Sequence, residues 1–188
     1  MTSLVGLDEA QVVTLGLSIP IPAPYDEQLR AVRRRAGDAL ADLVAPHITL
    51  VPPTPVRRQD VETLLSRVRE RCAQHRAFLV RLRGTGSFRP VSDVVFVAVA
   101  DGIAGCEQLA ADLLDMEGLR ITRSFPYHPH VTIAQDVDEQ ALDAAFERLE
   151  NFRADLRVDA VSVHRQESDG SWIPIAAYPL REETPSGS

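Results

Sequence analysis

The sequence predicts an α+β fold: two lobes related by a pseudo-twofold axis, each an antiparallel β-sheet flanked by helices, facing each other across a central groove. Three observations lead there. Segments of strand character alternate with segments of helical period. The order strand, helix, strand, helix, strand occurs twice. The two runs overlay at one offset, 83 positions, which is the distance from His47 to His130. Self-similarity at a fixed offset is a mark of duplication. The expectation is a single domain over residues 1–181, with lobes at about 11–83 and 94–178, followed by a disordered tail at 182–188.

In the first half, Gln11–Ile19 is rich in β-formers, and prolines at 20, 22 and 24 end it. From Asp26 to Leu43, the apolar positions Leu29, Val32, Ala36, Leu40 and Leu43 follow helical spacing, with Asp26 as the cap. A short strand from His47 to Val51 is expected to stop at Pro52-Pro53. A second helix carries Val61, Leu64, Leu65, Val68 and Cys72 on one stripe. Ala77–Arg83 alternates like a strand and gives way to Gly84 and Gly86.

The second half repeats the order. Val94–Ala100 reads as a buried strand, Ile103–Met116 as a helix ending near Gly118, and His130–Ala134 as a short strand. Asp136 with Glu139 resembles a capping box opening a helix that carries Leu142, Ala145, Phe146 and Leu149. Leu156–His164 and Trp172–Tyr178 are strands, joined as a hairpin across Ser168-Asp169-Gly170. At the common offset Pro46 falls on Pro129, Thr49 on Thr132 and Leu50 on Ile133.

Composition narrows the function classes. A chain that is 45% hydrophobic and 25% charged can build its own core. A net charge of −7 argues against a protein that coats nucleic acid through a basic surface. All the basic residues are arginine, which a GC-rich genome explains without any selection for the guanidinium fork. No apolar run is long enough to span a bilayer, and Met1–Leu7 has no basic region followed by an apolar stretch, so a cytoplasmic protein is expected. Cys72 and Cys106 are too few and too far apart for a disulfide framework or a metal site.

The chemistry resides in two short strands, His47-Ile48-Thr49-Leu50 and His130-Val131-Thr132-Ile133. Side chains alternate along a strand, so His47 and Thr49 share one face, as do His130 and Thr132, while the aliphatic residues take the other. Two polar faces built twice suit phosphodiester chemistry. One neutral imidazole can accept a proton while a protonated one donates, and two hydroxyls can hold the non-bridging oxygens. No metal or other cofactor is called for.

These paired motifs, PHITL and PHVTI, resemble those of the two-histidine (2H) phosphoesterase superfamily, in particular its bacterial 2′-5′ RNA ligase-like branch, the RNA 2′,3′-cyclic phosphodiesterases. The resemblance runs from Val12 to Tyr178, and Gly86-Ser87-Phe88-Arg89 adds to it. It implies His47 and His130 as catalytic residues, Thr49 and Thr132 as phosphate-binding residues, and opening of a 2′,3′-cyclic phosphate to a 2′-phosphate. It gives the second histidine as base and the first as acid, although the near-symmetry leaves either assignment open. Phe88 or Tyr127 could stack on a base, and Arg89 and Arg123 could reach a phosphate. The implied partners are RNA ends or a small cyclic nucleotide acting on a monomer, with neither membrane nor DNA. Two other readings stand beside hydrolysis: 2′-5′ RNA ligation, and a module that binds an RNA end or nucleotide without turnover.

Plainer readings apply elsewhere. His128-Pro129-His130 has no third or fourth ligand nearby, which zinc needs. His75 and His164 read as ordinary surface or strand residues, Arg33-Arg34-Arg35 as solvated helix surface, and Trp172 as core.

Overall fold

A computed structural model describes residues 11–119 and 125–182. Arg123 and the tail at 183–188, both named above, lie outside the described residues. The elements in chain order are β1 (Val12–Pro20), α1 (Tyr25–Ala36), β2 (His47–Arg57), α2 (Val61–Cys72), β3 (Phe78–Ser87), β4 (Val94–Asp101), α3 (Ile103–Leu114), β5 (His130–Gln135), α4 (Glu139–Arg148), β6 (Arg153–Val158), β7 (Ala160–Gln166) and β8 (Trp172–Pro179). No helix among the described residues is long and apolar enough to cross a membrane.

The eight strands form one sheet in the order β6-β3-β4-β5-β2-β1-β7-β8. All the named pairings are antiparallel. Exchanging β2 with β5, β1 with β4, β3 with β7 and β6 with β8 turns this order into itself, as a twofold axis at its centre requires. The axis is marked by the β2–β5 register, in which Ile48 pairs with Val131. Those two residues are equivalent at the offset read from the sequence.

The lobes of the sheet differ from the expected halves 11–83 and 94–178. The third strand of each half crosses over: β3 pairs with β4, and β7 pairs with β1. Helices cross as well, with α1 packing beside α4 against β5, and α3 against β2. Each lobe is therefore completed by the other half of the chain. The long strand expected over Leu156–His164 is cut at Asp159 into β6 and β7, which belong to different lobes. The sheet curls enough for its two ends to meet there. Leu180 N–H donates to the Asp159 carbonyl at 2.7 Å, and Ala77 N–H to the Arg181 carbonyl at 2.9 Å.

Other element ends also differ from expectation, for local reasons. Helix α1 stops at Ala36 because Gly37 takes a left-handed conformation (φ 79°) whose N–H closes on the Arg33 and Arg34 carbonyls. Leu40 and Leu43, which continue the helical spacing, lie in turns beyond it. Strand β2 passes through Pro52 and Pro53 and ends at Arg57. It tolerates them because the β1–β2 register shifts there, with Leu15 opposite Thr54 but Leu17 opposite Val51. Prolines are accommodated in strands at such irregularities. The cap of α4 is Asp138, whose carboxylate accepts from Ala141 N–H at 2.8 Å, and Asp136 instead sits in the left-handed region at φ 54°.

Ile48, Leu50, Val131 and Ile133 are fully buried in the core, which also takes in Val68 and Cys72 from α2 and Leu109 and Leu113 from α3. The intervening His47, Thr49, His130 and Thr132 are only half-buried. Truncating Ile48 to Ala removes buried methylenes at the axis itself and is expected to cost about 2–5 kcal/mol. The check is a lowered urea midpoint with an unchanged slope.

Candidate functional site

Two strands bring the polar groups together. Continuing the antiparallel register from Ile48–Val131 sets His47 opposite Thr132 and Thr49 opposite His130. Directly opposed residues stand about 4.5–5.5 Å apart at Cβ and diagonal ones about 7–8 Å. By this register the two histidines occupy one diagonal and the two threonines the other, all on one face.

The two imidazoles are held by the same device. His47 Nδ1 donates to the Ala45 carbonyl at 2.7 Å, and His130 Nδ1 donates to the His128 carbonyl at 2.7 Å. Each bond spans a proline, Pro46 or Pro129, that fixes the turn. A carbonyl can only accept, so Nδ1 carries the hydrogen, and Nε2 is the nitrogen that gains or loses the working proton.

Burial drives both imidazoles toward neutrality. His47 is pushed down to about 4, chiefly because its surroundings penalise charge, with positive fields from His164, Arg33 and His130 adding to this and the Ala45 bond opposing it. His130 also lies below the ordinary histidine value, first through burial and then through His128, against the pull of its carbonyl bond. Because charge on His130 disfavours charge on His47, the pair favours one protonated ring over two.

Each imidazole has an aromatic neighbour. Phe88 meets His130 edge-on, with centroids 4.9 Å apart at 89°, and Phe88 also packs on Phe96 at 4.4 Å. Trp172 stacks on His47, at 4.9 Å and 26°. The sequence reading places Trp172 in the core; it is instead half-buried, beside His47. The offset could have found it, since Phe88 shifted by 83 lands one residue before Trp172. His164, read from sequence as an ordinary strand residue, lies 5.6 Å from the Trp172 ring, and its Nδ1 is 3.4 Å from the buried Ser18 Oγ.

The remaining named residues fall differently. Tyr127 donates its hydroxyl to the Thr49 carbonyl at 2.9 Å, bracing β2 against the segment before β5. Arg89 is engaged with Asp143 at 2.8 Å and with Ser87 Oγ at 3.1 Å, so its fork is turned to α4. Beside His130 opens a recess of about 450 Å³, walled by Phe88, Val91, Phe125 and Tyr127, with Thr49 and His130 at its polar edge. His75 pairs with Asp112, far along the chain from the motifs. Among the described residues, no three His, Cys, Asp or Glu side chains cluster so as to hold a metal ion.

Comparison with known proteins gives the family and supports the fold. The model of the 2′-5′ RNA ligase superfamily matches residues 21–170, and the chain belongs to that superfamily. Among solved structures, Escherichia coli LigT complexed with 3′-AMP has the same fold, with a TM-score of 0.69 at 22% identity over 90% of this chain and 99% of that one. A Staphylococcus epidermidis protein named provisionally as a phosphoesterase is 24% identical over 88% of this chain and 98% of its own length. A Bacillus pumilus relative with the same provisional name is 29% identical over 80% and 88%.

The depressed His47 has a consequence for stability. The unfolded chain holds its proton up to about pH 6.5, whereas the folded one releases it near 4. Stability is therefore expected to fall as pH drops through that window, because the unfolded state binds more protons there. His47→Gln should flatten the fall between pH 7 and pH 5, measured by urea denaturation at each pH.

Proposed function

We propose that the protein is a phosphodiesterase that opens a 2′,3′-cyclic phosphate, at an RNA end or on a small nucleotide, by acid–base catalysis between His47 and His130. The observation that carries this reading is the β2–β5 register, by which two histidines and two threonines of neighbouring strands share one face. A neutral Nε2 takes a proton from the attacking water as its oxygen bonds to phosphorus. The P–O3′ bond breaks, and the other imidazole, protonated, delivers its proton to the departing 3′-oxygen, leaving a 2′-phosphate. Thr49 and Thr132 donate to the non-bridging oxygens, where negative charge gathers.

Burial leans both imidazoles toward the neutral form. An anionic phosphate between them raises their affinity for a proton, so the substrate helps create the acid that it needs. The family resemblance gives His130 as base and His47 as acid, and the twofold arrangement would support the reverse equally well.

The apolar recess beside His130 suits a nucleobase, with stacking on an aromatic ring worth about 1–3 kcal/mol. The net charge of −7 favours an end or a small molecule over long RNA.

Purified protein is expected to turn over 2′,3′-cyclic nucleotides with a bell-shaped pH profile and no loss in a chelator. His47→Ala and His130→Ala should each reduce kcat by roughly 10²–10⁴-fold. Full activity in either variant would sink the proposal. Thr49→Val and Thr132→Val should each cost on the order of 10² in kcat, as removal of one charge-stabilising donor does. Supplying RNA with both a cyclic-phosphate end and a free 5′-hydroxyl end separates hydrolysis from 2′-5′ joining by the product formed.

A further inference from the structure

The turn leading into His47 is fixed at four successive carbonyls. Leu43 C=O accepts from Trp172 N–H at 3.1 Å, and Val44 C=O from Arg33 Nη1 at 3.0 Å. Ala45 C=O accepts from His47 Nδ1 at 2.7 Å, and Pro46 C=O from Ile21 N–H at 3.1 Å. Arg33 is itself fully buried and paired with Asp38 at 2.9 Å. Trp172 acts on His47 by two routes. Its indole lies on the imidazole, and its backbone N–H holds the start of the turn whose Ala45 carbonyl orients Nδ1.

The indole has its place because β1 presents Gly16 beneath it. A Cβ at Gly16 would stand 2.9 Å from Cη2 and 3.1 Å from Cζ3 of Trp172. His164 borders the indole as well, so the ring is confined by β1, β7 and the His47 turn together.

We propose that Trp172 is a positioning residue for His47: its indole sets the plane of the imidazole, and its N–H anchors the turn that directs Nδ1, leaving Nε2 aimed between the two strands. The role rests on the reading of His47 as one of the two acid–base groups. A histidine's χ2 is a broad torsion, so a single hydrogen bond leaves the ring room to rock, and parallel stacking removes that freedom. A misplacement of about 1 Å can cost a reacting group about 10²-fold in rate.

The same contact covers one face of the ring. The charged or titratable groups that face it are His164 on β7, Arg33 on α1 and His130 on β5. All three act against its protonation, and Trp172 adds no charge of its own. Losing the indole therefore changes hydration first, and the imidazole should then hold its proton to higher pH.

The test uses the full chain as Trp172→Leu, Trp172→Phe and Gly16→Ala, with the imidazole NMR signals of His47 and His130 followed across pH and kinetics on a 2′,3′-cyclic nucleotide. In Trp172→Leu, the His47 signals should lose their ring-current displacement and titrate closer to an ordinary histidine. In the same variant kcat should fall at least about 10-fold with KM nearly unchanged, as expected for a misaimed group. Trp172→Phe should recover most of kcat, and the His130 titration should move less than that of His47. Gly16→Ala, which pushes the indole aside, should shift His47 in the same direction and decides the matter if Trp172→Leu does not fold. A His47 titration that stays put or moves down in the folded variants overturns the proposal, as does a defect confined to KM. If the unaltered protein turns over no cyclic phosphate, the phosphodiesterase reading fails on its own, while the NMR titrations still decide whether Trp172 governs His47.

Discussion

One contact organises the molecule: the pairing of Ile48 with Val131 where β2 meets β5. Both side chains are completely buried. By the alternation of a strand, burying them turns the flanking His47, Thr49, His130 and Thr132 to the opposite face. The apolar core and the polar site are two sides of the same four-residue segments. A slip of one residue in this register would send the histidines into the core and the aliphatic residues into the groove. The hydrophobic effect thereby fixes the alignment of the groups proposed to do chemistry.

Exchange of strands between the halves makes that alignment a property of the whole chain. With β3 completing the sheet of the second half and β7 that of the first, neither half holds a finished lobe. The chain returns to close the far end, where Asp159, Ala77 and the end of β8 meet through backbone hydrogen bonds. The site sits at the centre of the sheet, bordered by β4 and β1, and the two lobes cannot part without breaking it.

Symmetry sets up the site and its departures differentiate it. Both imidazoles use the same Nδ1-to-carbonyl bond across a proline. Their aromatic neighbours differ: an indole lies flat on His47, whereas a phenyl edge meets His130. The apolar recess opens on the His130 side, and the buried Arg33 stands nearer His47. A pair of equivalent groups becomes an unequal pair.

The sequence alone determined the duplication, the α+β class, the four residues of the paired motifs and their common face, because these follow from period-two alternation and from one fixed offset. Phe88 was legible through the family resemblance of Gly86-Ser87-Phe88-Arg89 and not through the repeat. Two boundaries were readable but missed: Gly37 as the stop of α1, and Asp138 as the cap of α4. Tertiary structure decided the rest. Nothing local says that β3 joins the other half, that Pro52-Pro53 lies in a strand beside a register shift, or that Arg89 turns to Asp143. Nor does it place Trp172 on His47, or Arg33 on the carbonyl of Val44. Alternation and helical period encode which way a side chain points from its own backbone. Which distant side chain it meets depends on how the sheet curls, and that is settled only when the whole chain packs.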